Sequence, residues 1–324
     1  MSRTIWILAD QLARNNSALA EVVRVDRRTE PARVLMIESE AQWKRLPCHK
    51  HRVMLSLSAM RHFAEELKRR GLSVDYYPIR AGGLHGHHSY SDALRDHLDR
   101  NGPAELVVME PAEPGMRDEV VEIADACGAA IRLTPNSMFL TDRRAFAEEY
   151  TCAGGFRMES HYRRLRLTNR ILIADSAPAG GTWIVGSETS IRLPDQLNPT
   201  GTSFLPDAMT HEVAECVEAL FAGHPGCTSD FQLPVTHAQA NDLLDLNLNL
   251  NLDLNLPLTL TSTLTFLDLG LLHAPQVLKK IDTAYQEGRL PLSIAEPLVR
   301  EILGWREYRY GISWLRVQEL QRRS

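Results

Sequence analysis

The stretch Ser58–Tyr77, SAMRHFAEELKRRGLSVDYY, decides the architecture. Ser58–Arg70 carries its apolar residues with a helical period. Gly71 follows where a helix commonly ends on a residue in the left-handed conformation. Leu72–Tyr77 then reads as a strand.

The same alternation extends to both sides. Thr4–Ala9 and Arg33–Ile37 read as strands before it. After it come a loop at His85–Tyr90, a helix at Ser91–Arg100 capped by Ser89 or Ser91, and strands at Glu105–Met109 and Ala130–Leu133 with the helix Arg117–Cys127 between them. Strands separated by helices predict a five-stranded, parallel, doubly wound sheet covered on both faces, an α/β domain over residues 1–135. Ligands of such sheets sit outside the carboxyl ends of the strands. Those ends are Asp10–Gln11, Glu38–Glu40 and Glu110–Pro114. His85, His87 and His88 stand among Gly82, Gly83 and Gly86, which fits a glycine-rich loop better than a metal site.

Residues 136–205 form a less regular connection. Phe156–Arg170 is predicted helical and carries Arg157, Arg163, Arg164, Arg166 and Arg170, and Ala177–Gly186 is turn-rich. Residues 206–324 read as all-α, with helices at His211–Phe221, from His237 to Leu243, at Pro275–Gly288 and at Ser293–Tyr310. One tract breaks this pattern. From Leu244 to Leu260 every even residue is Leu, alternating with Asn, Asp, Thr or Pro. A period of two favours a strand, but Asn and Asp are poor strand formers and no partner strand is evident. The tract is expected to be low-complexity sequence, poorly ordered and aggregation-prone.

Composition bounds the function. A chain of 324 residues with 44% hydrophobic and 24% charged residues has the profile of an ordinary globular protein with room for two domains. A net charge of -5 excludes a general polycation, so any nucleic-acid contact needs a local basic patch. The five cysteines are scattered and form no CxxC pair, which points to a reduced, cytoplasmic protein without a metal site of its own. No apolar run reaches the roughly 18 residues of a membrane span, and no signal peptide is evident. A monomer is expected.

Four ordered pieces, the first of them within the opening stretch, point to one family. The run Ser58-Ala59-Met60-Arg61-His62-Phe63-Ala64 resembles a helix of the iron–sulfur bacterial cryptochromes and photolyases, the photolyase-related group. Ala9-Asp10-Gln11-Leu12, Met158-Glu159-Ser160-His161-Tyr162-Arg163 and Gly304-Trp305-Arg306-Glu307-Tyr308 fall in the same order, and Gly180-Gly181-Thr182-Trp183 and Phe231–Thr236 are also similar. The resemblance covers almost the whole chain. It implies an antenna-type α/β domain followed by a helical FAD domain, incomplete here because family members continue well past this C-terminus. It also implies a blue-light flavoprotein that transfers an electron from reduced FAD to UV-damaged DNA, (6-4) photoproducts in particular, after flipping the lesion out of the duplex.

Residue by residue, the resemblance places the flavin diphosphate at Thr261, Ser262 and Thr265, with Arg306 as a further cofactor contact. Small polar residues and backbone N–H groups at a helix start bind anions in this way. The Trp305–Arg306 pair matches a Trp-Arg pair at the family's flavin and lesion cavity, and Trp305 and Glu301 are the expected catalytic residues, although this family subgroup often has Gln at the position of Glu301; the plain alternative is a core Trp beside an Arg–Glu surface pair. Asp10, Gln11, Glu38 and Glu40 are the expected contacts of a 6,7-dimethyl-8-ribityllumazine antenna, or else ordinary helix caps. Arg157, Arg163 and Arg164 are the expected DNA contacts, or else a solvated helix face.

The departures matter too. Ile184-Val185-Gly186-Ser187 follows Trp183 where the family has an Asn-Phe-Asp run, and Thr265 stands where the family has Ser. None of the cysteines matches the ligands of the family's 4Fe–4S cluster, so no cluster is expected, and repair weaker than an intact photolyase's is expected. The alternatives are a non-repairing cryptochrome photoreceptor, a lumazine- or nucleotide-binding α/β module, and an inactive fragment.

Overall fold

The structure is a computed structural model that describes residues 2–20, 33–81, 89–102, 104–155, 157–186, 203–249 and 256–323. Five parallel strands open the fold: β1 (Ser2–Ile7), β2 (Arg33–Ile37), β3 (Val74–Tyr77), β4 (Ala104–Met109) and β5 (Ala130–Thr134), in the order β3-β2-β1-β4-β5. The chain winds one way from β1 to β3 and the other way from β4 to β5, so the order reverses beside β1.

Strands buried on both faces read as continuous apolar runs, and β1 shows why. Ile5 and Ile7 face one core, while Trp6 and Leu8 face the other. The helices α1 (Glu40–Lys44) and α2 (Lys50–Arg69) follow β2. Val53, Met54, Leu57, Met60, Phe63, Ala64 and Leu67 of α2 pack into the first core with Val34, Met36, Val107 and Met109. α2 starts eight residues before the Ser58 read from sequence. It ends as expected: Gly71 at φ 86° donates to Lys68 O at 2.9 Å, and Leu72 N reaches Leu67 O at 3.1 Å. On the other face α3 (Tyr90–Asn101) and α4 (Pro114–Ala126) supply Tyr90, Ala93, Leu94, Val120 and Ala124. Ser89 Oγ caps α3 by accepting from Asp92 N at 3.2 Å. His85, His87 and His88 lie outside the described residues. Among those described, no cluster of three His, Cys, Asp or Glu is placed to hold a metal ion.

The connection holds α5 (Arg143–Cys152), which the sequence reading missed, then α6 (Met158–Asn169) and a two-stranded hairpin, β6 (Ile173–Ala174) with β7 (Ala177–Pro178). The remainder is helical: α7 (Ala208–Leu220), α8 (His237–Asn249), α9 (Leu256–Leu269), α10 (Ala274–Gln286), α11 (Leu292–Val299), a π-helical turn at Arg300–Arg306, and α12 (Glu307–Arg323). The single helix expected from Ser293 to Tyr310 is therefore interrupted. Pro297 lies within α11 and lacks the N–H that an α-helix needs, and the wider turn follows directly.

The two ends of the alternating tract depart from expectation. Leu244–Asn249 continues α8 and Leu256–Leu260 opens α9; residues 250–255 lie outside the description. A repeat of two contains a repeat of four, so half of the leucines already satisfy the i, i+4 spacing of a helix face. Ala240, Leu243, Leu244 and Leu248 are buried on that face. They join the same core as the sheet's inner face, which runs without a break from Ile5 to Leu303. No described helix is long and apolar enough to cross a membrane.

Candidate functional site at the strand ends and the helical junction

Strand order reverses at the carboxyl end of β1, the place where an open parallel sheet is expected to present its ligand crevice. Asp10 and Gln11 sit there, in the turn that Gln11 N closes onto Leu8 O at 3.0 Å. Gln11 is buried, and its Nε2 donates to Met109 O at 2.6 Å, tying the turn to the end of β4. Its Oε1 is buried with no hydrogen-bond partner, as is the indole N–H of Trp6 on the opposite face. Buried polar atoms without partners are rare in native folds and mark places where a ligand can complete the bonding. Asp10 is half-buried, and its carboxyl is pushed up to about 6, first by burial and then by the nearby charges of Glu113 and Asp268, against the pull of a backbone N–H. Burial also lifts the Tyr90 hydroxyl well above its ordinary value, with the Asp10 carboxylate adding to it. A crevice with an unpaired carboxamide oxygen and a carboxyl poised near neutrality suits a ring ligand bearing N–H and hydroxyl groups.

Glu38 and Glu40 are placed differently. Glu38 is buried and saturated: it accepts from Arg61 Nε and Nη2 at 2.8 and 3.0 Å, Tyr76 OH at 2.5 Å and Ile79 N at 2.8 Å. This network binds α2 to the ends of β2 and β3, and it leaves no lone pair aimed at the crevice. Glu40 opens α1 and pairs with Lys44 one turn on, a helix-end arrangement.

The crevice is closed on one side by the end of α9. Leu12 N donates to Leu269 O at 2.9 Å, and Gly270 at φ 85° lies so close that a Cβ would stand 2.6 Å from Ala13 N. Asp268, in the same turn, joins this crevice to the second cluster of expected residues. Arg306 Nε donates to Asp268 Oδ1 at 2.9 Å, Nη1 reaches Met138 O and Glu307 Oε1 at 3.2 Å each, and Nη2 reaches Leu267 O at 3.4 Å. The guanidinium also stacks 3.9 Å over Phe139. Glu307 in turn accepts from Leu140 N and Thr141 N at 3.0 and 2.8 Å.

The residues expected around a flavin do not form a cradle for its diphosphate. Thr261, Ser262 and Thr265 lie inside α9, beyond its first turn, where backbone N–H groups serve the helix. Thr261 is buried and Thr265 Oγ1 donates back to Thr261 O at 2.8 Å. Arg306 is committed to protein acceptors. Glu301 is buried, with Arg309 Nη2 3.7 Å away. Trp305 alone has an open valence: its half-buried ring carries a buried N–H without a partner. No step through a flavin is derived from this arrangement.

The arginines of α6 divide into two groups. Arg157 and Arg163 are exposed. Arg164 is not a free cation: it pairs with Glu149 and donates from Nη2 to His161 Nδ1 at 2.8 Å. Arg166 is fully buried and donates to Ile171 O, Trp183 O and Leu172 O at 3.2, 2.8 and 2.6 Å. Sequence reasoning missed Tyr90 and Asp268 at the crevice, and it placed Glu113 within the strand-end stretch Glu110–Pro114 without singling it out. Of the two missed, only Tyr90 carried a signal, as the residue after a helix cap at a strand–helix junction.

Comparison with known proteins agrees with this architecture. The family model described as "deoxyribodipyrimidine photo-lyase-related protein" matches residues 5–233. A protein of Agrobacterium fabrum named "(6-4) photolyase" is 32% identical over 327 aligned residues, covering 97% of this chain and 63% of that protein. The crystal structure of a bacterial class III photolyase from Agrobacterium tumefaciens superposes with a TM-score of 0.57 at 14% identity, over 96% of this chain and 58% of that one; at that identity the likeness is one of fold. The chain thus spans about three-fifths of the length of these relatives. With the family model covering more than half of its residues, the chain belongs to the deoxyribodipyrimidine photo-lyase-related protein family.

Proposed function

We propose that this chain serves a photolyase-like function on UV-damaged DNA, with (6-4) photoproducts as the lesion, as the name of the relative at 32% identity suggests. FAD enters this reading from the family alone, because Thr265 and Arg306 are engaged within the protein. When bound, a reduced flavin supplies the light-excited electron donor of such chemistry. The chain's own contribution is legible elsewhere. Asp10 and Gln11 would hold a lumazine-type antenna by accepting from its N–H and hydroxyl groups, and exposed arginines on α6 would bind the DNA backbone. The half-buried Trp305 offers a ring face on which an unstacked base can rest.

The observation that carries the reading is the unpartnered Gln11 Oε1 at the point where strand order reverses, in a chain of this family. The same observation supports a second reading, in which the α/β part is a lumazine- or nucleotide-binding module and no repair occurs. Adding FAD and ribityllumazine to the purified chain separates the two. Co-purifying flavin absorption, with loss of a (6-4) lesion under blue light above a dark control, supports the photolyase-like reading. A lumazine band alone, with no lesion loss, supports the module. Retention of neither chromophore defeats both.

A further inference from the structure

We infer that His237 and His273 form a two-point latch by which the helical part grips the turn after β1, and that the latch holds while both imidazoles are neutral and lets go in acid. This is a device of the junction and stands apart from the identity of the crevice's ligand.

The first point is His237, the opening residue of α8. It is 6% exposed and lies where four segments meet. Its Nδ1 is 3.5 Å from Glu66 Oε2 of α2, and the same carboxylate is gripped by Arg14 of the turn, Nε to Oε1 at 2.6 Å and Nη2 to Oε2 at 2.9 Å. Phe63 packs against the ring, 5.4 Å between centroids. The main chain of Leu12 and Gly270 faces it, at the same meeting where Leu12 N donates to Leu269 O. Nε2 is buried with no hydrogen-bond partner. A second proton on this ring would set a cation beside Arg14, away from water and at the positive end of α8. Burial first, and then Arg14, hold its titration below the ordinary 6.5, although Glu66 and the main chain pull the other way.

The second point is His273, which stands just before α10. Asn15 Nδ2 lies 3.0 Å from His273 Nε2 and 3.3 Å from Ser137 O. A carbonyl can only accept, so Ser137 fixes this end of the amide as the nitrogen. An amide nitrogen can only donate, so His273 Nε2 accepts and carries no proton. Protonating it sets N–H against N–H. Burial also lowers the titration of His273, and its place ahead of α10 adds the same helix-end charge.

Two helices thus hold neighbouring residues of one turn, through Arg14 with Glu66 and through Asn15. The charged groups facing His237 are Glu66 of α2 and Arg14 of the turn; the α9 end offers it main chain at Gly270, and His273 meets the neutral Asn15. A histidine whose titration is lowered by folding contributes stability that is lost as pH falls below 6.5. Asp10, earlier in the same turn, titrates at about 6 in the opposite sense, since its protonation favours the folded state.

Hydrogen exchange of the Leu12 amide, which bonds across the junction, reads the latch in the full chain without cofactor. Protection factors, corrected for the intrinsic pH dependence of exchange, are compared at pH 7.5 and 5.0, with Val107 of β4 as the control. Leu12 should lose about tenfold protection at the lower pH, and more than Val107 loses. H237Q/H273Q, with uncharged amides in place of both rings, should keep its Leu12 protection at both pH values. H273Q alone should show an intermediate loss, which decides the matter if the double variant does not fold. N15D presents a carboxylate to His273 and should raise its titration, followed by NMR, above 6.5. A wild-type Leu12 protected equally at both pH values overturns the inference. So does a loss that persists undiminished in the histidine variants, which would assign the response to Asp10, and so does a His273 titration that N15D leaves in place.

Discussion

Arg306 binds Asp268 across the junction between the end of α9 and the π-helical turn, Nε to Oδ1 at 2.9 Å, and the two partners differ sharply in exposure. The Asp268 side chain is 64% exposed, whereas that of Arg306 is 5% exposed and also faces the fully buried Glu307. Removing Asp268 therefore leaves a charge that water still reaches in part. Removing Arg306 leaves Glu307 buried without its cation. D268N should cost at most about 1 kcal/mol, and R306A about 3–5 kcal/mol. Urea denaturation of the chain without cofactor measures both. Equal losses would show that Arg306 does not serve Glu307.

Asp10 should be a net liability above pH 6. Its carboxyl is held up to about 6 against an ordinary 3.8, so the folded state binds a proton more tightly than the unfolded state between those values. Stability from this group is present at low pH and is lost as pH rises through 6. D10N should stabilise the protein at pH 8 by about 1–2 kcal/mol, discounted for the contact Asp10 keeps with solvent, and should change little at pH 4. A site that keeps a destabilising carboxylate has a use for it. The same substitution should therefore weaken lumazine retention. Denaturation midpoints of D10N and wild type at the two pH values supply the check.

His161 acts in the opposite direction. It is buried, and Arg164 Nη2 donates to its Nδ1, which leaves Nε2–H to donate to Thr141 Oγ1 at 3.1 Å. Burial lowers its titration from 6.5 to about 4. Between those values the unfolded chain binds a proton that the folded chain refuses, so stability falls as pH drops from 6.5 towards 4, by about 3 kcal/mol in full. H161Q should be less stable than wild type at pH 7.5 and should show a flatter decline between pH 6.5 and 4. An unchanged slope would assign the acid sensitivity to other groups.

The parallel sheet was legible because its strands are short apolar runs between amphipathic helices, and two-sided burial leaves little else that β1 or β4 can be. The crevice was legible at Asp10 and Gln11 for the same topological reason. Glu38 shared their position in the pattern but not their role. What saturates it comes from Arg61 and Tyr76, on α2 and β3, and no local signal announces a four-donor network. Leu244–Asn249 misled because alternation was read as a single period, when helical spacing was also present in it. Asp268 carried no sequence signal, since its importance arises only where α9 meets the turn after β1.

The closest backbone approach at that meeting offers the sharpest test of the junction. Gly270 sits at φ 85°, and the position a Cβ would take is 2.6 Å from Ala13 N and 3.0 Å from the Leu12 carbonyl carbon. Neither neighbour can swing away, because both are main chain and Leu12 N is bonded to Leu269 O at 2.9 Å. G270A therefore meets two penalties, an unfavourable left-handed backbone and a steric clash, that only separation of the α9 end from the β1 turn can relieve. The expected loss is about 2–4 kcal/mol in urea denaturation, larger than for a glycine strained by conformation alone. Gly288, also left-handed at φ 70° but with open space around its Cβ position, is the matched control, and G288A should lose only about 1 kcal/mol. If separation is how the clash is relieved, the Asp10 carboxyl gains water and loses the company of Asp268, so its titration should fall back towards 3.8 in G270A. Carboxyl titration by NMR in G270A and G288A reads that shift directly. An Asp10 that titrates near 6 in both variants would mean that the α9 end does not control the crevice.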